Sequence, residues 1–162
     1  MGDTVEFSFP TRVVFGPGSI GRIGSLCAEL GITRPLVVTD PGLVALGLHE
    51  RAVAPLAAGG FASCVFHDVQ GNPAEQNVLD ATAAYREHDA DGLVGLGGGS
   101  ALDVPKAVRL RATHHLPLEA HDASAQGWHQ THADRPPMPA TATTAGTRSA
   151  LGRPTARARP RP

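Results

Sequence analysis

The chain has 162 residues, 41% hydrophobic and 18% charged, with a formal net charge of −1, enough for one core of ordinary size and hardly two. No run approaches the ~20 apolar residues of a membrane span and no basic-then-apolar leader opens the chain, so a membrane partner is not expected. Cys27 and Cys64 are too few and too far apart for a CxxC site or a disulfide framework, and both fit buried, reduced thiols in a cytoplasmic protein.

Val5–Phe9 and Arg12–Phe15 alternate well enough for two short strands broken at Pro10. After a turn at Gly16-Pro17-Gly18-Ser19, Ile20, Ile23, Leu26, Cys27 and Leu30 recur at helical spacing, and Gly31 closes that helix. Pro35–Asp40 is the clearest strand, ending on an acid with Pro41-Gly42 as its turn. A helix covers Leu48–Ala58 and stops at Gly59-Gly60; Ala62–Val69 is a strand, and Gly71-Asn72-Pro73 turns the chain. Ala74–His88 is the best helix on propensity, with Val78, Leu79, Ala81, Thr82 and Tyr85 on one stripe.

Leu93–Leu96 then has the length and flanks of a buried parallel strand. Gly97-Gly98-Gly99-Ser100 follows at once and leads into a helical segment, Ala101–Leu110. Strand, glycine turn and helix N-terminus together make an anion-binding device: glycine lets the backbone approach a phosphate, and the unpaired N–H groups of the first helical turn point at it. Ser100 is placed as the N-cap. A turn that merely packs tightly is the plainer alternative, but three consecutive glycines exceed what a turn needs. Strands alternating with helices at these spacings predict an α/β fold, a parallel sheet with helices on both faces. Ligands of such sheets bind at the carboxyl ends of the strands, where Asp40, Asn72 and the glycine turn would all sit.

Beyond Leu110 the order weakens, and Arg111–Pro139 gives no clean periodicity. Five histidines fall here: His114, His115, His121, His129 and His132. Pro117 and Gly127 break regular structure nearby and no carboxylate or thiol motif completes a ligand set, so exposed histidines in a loop-rich stretch are expected. Thr141–Thr147 is a hydroxyl-rich loop, equally readable as donors to a phosphate or ribose and as an ordinary polar connection. Arg148–Pro162 is a Pro/Arg/Ala tail with no apolar face, expected to be disordered. Its five arginines and no acid leave nine Lys and Arg against fifteen acids, about −6, on residues 1–147. An acidic body argues against a nucleic-acid partner.

A literal GxGxxG also occurs at Gly16–Gly21, with Asp40 about twenty residues further on. Its upstream strand is short and has a hairpin partner, and Pro17 removes one backbone N–H. The later glycine turn is the better cofactor candidate.

These motifs, in this order, resemble the N-terminal half of the iron-containing (group III) alcohol dehydrogenases over roughly residues 5–147. The resemblance rests on Phe15-Gly16-Pro17-Gly18, Val37-Val38-Thr39-Asp40, Gly71-Asn72-Pro73, Gly97–Asp103 with Lys106, and Thr143-Thr144-Ala145-Gly146-Thr147. It implies a Rossmann-like parallel sheet with a short N-terminal β-hairpin, as in the N-terminal domain of dehydroquinate synthase. Residues 1–147 would form an NAD-binding domain and 148–162 a tail. It further implies that Gly98, Gly99 and Ser100 bind the dinucleotide pyrophosphate and that Thr143 and Thr144 lie along its nicotinamide half. Asp40 would accept the adenosine ribose 2′-OH and repel a 2′-phosphate, favouring NAD over NADP; Asn72 also reaches the cofactor, and Asp103 is a further contact.

Family members oxidise a small-molecule alcohol to an aldehyde or ketone, or the reverse, and hold Fe2+ with one Asp and three His in a C-terminal helical domain. None of the 162 residues is expected to belong to that domain, so neither a metal ligand nor a catalytic residue is named. Two departures stand out: Ala142 where a proline usually precedes the threonine loop, and Pro105 one turn into the glycine-turn helix, expected to cost a hydrogen bond and some alignment. The abrupt change at Arg148 reads as a shift of reading frame after Thr147, giving a truncated product with little or no turnover. A non-catalytic dinucleotide-binding module is the alternative, as is a chain that does not fold without its partner domain. Glycerol dehydrogenases, maleylacetate reductases and dehydroquinate synthases share the glycine turn, so the substrate stays open, as does homodimer formation.

Overall fold

The computed structural model describes residues 5–9, 11–113 and 135–144. The histidine-rich stretch from 114 to 132, the end of the threonine loop from Ala145 and the Arg/Pro tail lie outside them. Two short strands, β1 (Val5–Phe9) and β2 (Thr11–Phe15), pair antiparallel from Val5 opposite Phe15 to Phe9 opposite Thr11. A tight 3-10 turn over Ser19–Arg22 runs into α1 (Ile23–Glu29), so the expected single helix begins one turn late.

Next come β3 (Pro35–Val38), α2 (Pro41–Ala45), α3 (Glu50–Ala58) and β4 (Cys64–Phe66). They are followed by α4 (Glu75–Glu87), β5 (Gly92–Gly97), α5 (Gly99–Thr113) and β6 (Ala140–Ala142). Strands β3 to β6 form one parallel sheet in the order β4-β3-β5-β6. The expected architecture is therefore present, hairpin included.

Period-two alternation sorts the apolar residues of the central strands onto two faces. Val37, Val94 and Leu96 pack with Ile23 and Cys27 of α1 and Ala52 and Leu56 of α3. Leu36, Val38 and Leu93 pack with Val78 and Ala81 of α4 and Val104 and Val108 of α5. Both faces of β3 and β5 are buried, which is why these two strands read as continuous apolar runs. Cys27 is fully buried, and burial first, then the Asp91 charge, pushes its thiol up to about 11: a packing residue, not a nucleophile. Cys64 on β4 is only half-buried, unlike the expectation.

Three local features differ from the sequence reading, and the glycine-turn helix agrees with it. Pro41-Gly42, read as a turn, opens the short helix α2, because Asp40 Oδ1 accepts the Leu43 N–H at 2.9 Å and proline suits a first helical position. Strand β4 is three residues long, not eight. Helix α5 continues through Pro105, as the helical reading of Ala101–Leu110 expects, and Pro105 is buried against β5. The close approach needs Gly95, where a Cβ would lie 3.1 Å from Leu102 Cδ2 and 3.3 Å from Pro105 Cγ. Finally, Ala140–Ala142 is a strand. Carbonyls of Pro137 and Pro139 accept the N–H groups of Leu93 and Gly95 at 3.0 and 3.1 Å, so proline serves a strand that needs no outward donor.

At the amino ends of the strands, Asp91 pins β5 to the entry of β3. Its carboxylate accepts the backbone N–H of Thr33 and Arg34 at 3.0 and 2.8 Å and the Thr33 hydroxyl at 2.5 Å. Burial pushes the Asp91 carboxyl up, but these hydrogen bonds and the nearby Arg34 charge outweigh it and hold it below the ordinary value. Because the folded value is depressed, the stabilisation is complete above the unfolded value of about 3.9 and is lost as pH falls through the folded value. Urea melts from pH 7 to pH 3 should therefore show an acid limb that Asp91→Asn flattens, while lowering stability at neutral pH. An unchanged limb would remove Asp91 from this role.

Candidate functional site

The strand order places β3 between β4, reached through α2 and α3 on one face, and β5, reached through α4 on the other. The chain reverses direction across the sheet at β3 and β5, so their carboxyl ends open into a crevice, the position where open α/β sheets bind ligands. Gly97 is its centre. A φ of 145° there is accessible to glycine and almost nothing else, and a Cβ would lie 2.6 Å from Ala101 Cβ, 3.2 Å from Asp40 Oδ2 and 3.4 Å from Leu43 Cδ1.

The elements meeting at this point bring most of the expected residues together. Asp40 uses Oδ1 to cap α2, which turns Oδ2 toward Gly97. Gly98, not Ser100, is the cap of α5: its carbonyl accepts the Leu102 N–H at 3.1 Å, and Ser100 is the second helical residue. The N–H groups of Gly98, Gly99, Ser100 and Ala101 thus form the open first turn of a 15-residue helix, with its positive dipole end at the crevice. On the other side, the Thr143 N–H donates to the Gly97 carbonyl at 3.0 Å, and Thr144 Oγ1 would lie 3.7 Å from a Cβ at Gly98. One strand end, one helix start and one loop converge on Gly97 and Gly98.

Two expected contacts stand apart from this centre. Asp103 is a turn further along α5, 3.4 Å from Lys106 Nζ. Asn72 lies past the end of β4, exposed, at φ 56°. Its left-handed backbone accounts for an Asn in this turn without any ligand. The buried amide nearby is that of Asn77, which donates to the Asp68 carbonyl at 2.9 Å.

A cleft of about 260 Å³ adjoins the crevice, lined by Gly18, Ser19, Ile20, Leu43, Leu48, Arg51, Leu96 and Thr141–Thr143. Leu43 and Thr143 also border Gly97, so the cleft opens onto the glycine turn. Part of the Gly16–Gly21 pattern, set aside in the sequence for the later turn, therefore lines the same region. Arg51 carried no sequence signal, being one arginine on a short helix. Among the described residues, no group of three or more His, Cys, Asp or Glu stands close enough to hold a metal ion, and no helix is long and apolar enough to cross a membrane.

A parallel sheet with helices on both faces and a glycine turn at its switch point defines the open-sheet class of α/β protein. The family follows from comparison: the chain belongs to the iron-containing alcohol dehydrogenases, whose family model matches residues 10–154. A 4-hydroxybutyrate dehydrogenase of Cupriavidus necator is 40% identical over 144 residues, 88% of this chain and 37% of that protein. A crystal structure of 1,3-propanediol oxidoreductase superposes with a TM-score of 0.76 at 32% identity, over 92% of this chain and 37% of its own. The sulfoacetaldehyde reductase of Bifidobacterium kashiwanohense, solved in complex with NAD+, gives 0.72 at 26% identity, over 83% and 35%. The chain spans little more than a third of the relatives it matches.

Proposed function

We propose that this chain binds NAD across the crevice at the ends of β3 and β5, as the cofactor-holding part of the family's hydride transfer between a small-molecule alcohol and its aldehyde or ketone. The observation that carries this reading is the convergence of Asp40, the open N-terminus of α5 and Thr143-Thr144 on Gly97. The residues fit the cofactor. The cradle at Gly97 is one that a Cβ would fill, and the fully buried hydroxyl of Thr39, one residue before Asp40, has no hydrogen-bond partner.

Bound NAD would supply the hydride acceptor, its nicotinamide ring. The chain's own residues hold and orient it. The N–H groups of Gly98, Gly99 and Ser100 hold the pyrophosphate, Asp40 Oδ2 accepts from the adenosine ribose, and Thr143 and Thr144 flank the nicotinamide half. Asn72 and Asp103 are outer contacts in this reading. The described residues do not fit the iron that the family name implies, and no step is assigned to it.

We read residues 1–147 as this NAD-binding domain, with 148–162 as a tail, in a cytoplasmic protein. For the 162 residues by themselves the expected result is binding without appreciable turnover, and a non-catalytic dinucleotide-binding module is the second reading. Titration of NADH into the purified chain, followed by nucleotide fluorescence, tests this. Saturable binding in the micromolar to millimolar range is expected. No saturation at millimolar NADH would reject the proposal, and turnover of a simple alcohol would reject the non-catalytic reading.

A further inference from the structure

Arg51 lies in the first turn of α3 and lines the cleft beside Gly18, Ser19 and Thr141–Thr143. It forms no ion pair with a described acid: its neighbour Glu50 lies 3.2 Å from His49 Nε2 instead. The other polar side chains of the cleft wall are the hydroxyls of Ser19, Thr141 and Thr143. A guanidinium among hydroxyls, with no carboxylate in the lining, has an anion as its complement.

The crevice next to this wall needs such a charge. A dinucleotide pyrophosphate brings two negative charges close to the Asp40 carboxylate, and Asp103 follows one turn along α5. The helix N-terminus offsets about half a charge. Lys106 is on the same helix as Asp103 and pairs with it at 3.4 Å. Since Leu43 and Thr143 wall the cleft and also border Gly97, a side chain reaching inward from α3 approaches the phosphate position from the side opposite α5.

We propose that Arg51 is a binding residue for the cofactor's pyrophosphate, closing over it from α3, with the Gly18-Ser19 turn as the facing wall. This rests on the dinucleotide reading above and adds to it a cation outside the glycine turn. The cleft volume is below the range of about 300–1,000 Å³ usual for a whole small-molecule site, which suits one end of a ligand anchored next door.

The test uses the full chain with Arg51→Ala and Arg51→Lys, titrated with NADH, NADPH, ADP and adenosine, the last two by ligand-observed NMR. Arg51 is exposed, so both variants should fold with unchanged melting temperature. The proposal expects Arg51→Ala to weaken NADH and ADP about tenfold or more while leaving adenosine within about twofold, and Arg51→Lys to recover part of the loss. Equal weakening of adenosine, a loss confined to NADPH, or unchanged NADH affinity would each overturn it. Failure of the unsubstituted chain to bind either NADH or ADP is a different result: it would remove the dinucleotide reading itself.

Discussion

Replacing Gly97 by alanine should eliminate measurable NADH binding and lower the stability of the domain by about 2 kcal/mol or more. Two independent costs meet at that position. A φ of 145° lies where an L-residue is strained by about 1–3 kcal/mol. The new methyl would also stand 2.6 Å from Ala101 Cβ, in the first turn of the helix whose N–H groups open onto the crevice. Relief requires α5 to move away from β5 or Gly97 to change φ, and either re-aims those donors. The Thr143 N–H, bonded to the Gly97 carbonyl, moves with it. Chemical denaturation and NADH titration of the same preparation measure both effects. Full NADH affinity in Gly97→Ala would mean that the ligand is held elsewhere.

Asp40 should separate into two functions under two substitutions. Asp40→Ala removes the acceptor for the Leu43 N–H and should cost about 1 kcal/mol through loss of the α2 cap. It should also reduce the preference for NADH over NADPH by about 10-fold or more, because a 2′-phosphate would no longer meet a carboxylate. Asp40→Asn keeps a good capping oxygen, so stability should stay within about 0.5 kcal/mol while the preference still falls. Parallel titrations with NADH and NADPH, paired with urea melts, distinguish these effects. A preference that survives both substitutions would assign discrimination to another residue.

The central strands were legible because burial on both faces writes β3 and β5 as unbroken apolar runs, and α4 because its stripe has helical spacing. The glycine turn was legible for a chemical reason: three glycines between a strand and a helix have few uses. Elsewhere tertiary context overrides local preference. Three prolines between 136 and 139 conceal the lead into β6, since the carbonyls of Pro137 and Pro139 accept from β5 although neither has an N–H to give. Pro41-Gly42 reads as a turn until the Asp40 side chain caps it into a helix. The cap of α5 falls two residues before Ser100, because Gly98 can take that position without a side chain. The contributions of Ser19 and Arg51 to the cleft depend on how α3 and the 3-10 turn pack beside β6, which no local pattern encodes.

The most direct measurement of the central claim is an NMR titration of the 15N-labelled chain with NAD+, following backbone amides. The account predicts saturable shifts at Gly98, Gly99, Ser100 and Ala101, together with Thr143 and Thr144. The exposed outer face of α4, around Gln76 and Asp80, should stay still. Shifts that gather elsewhere while the amides from Gly98 to Ala101 do not move would contradict it.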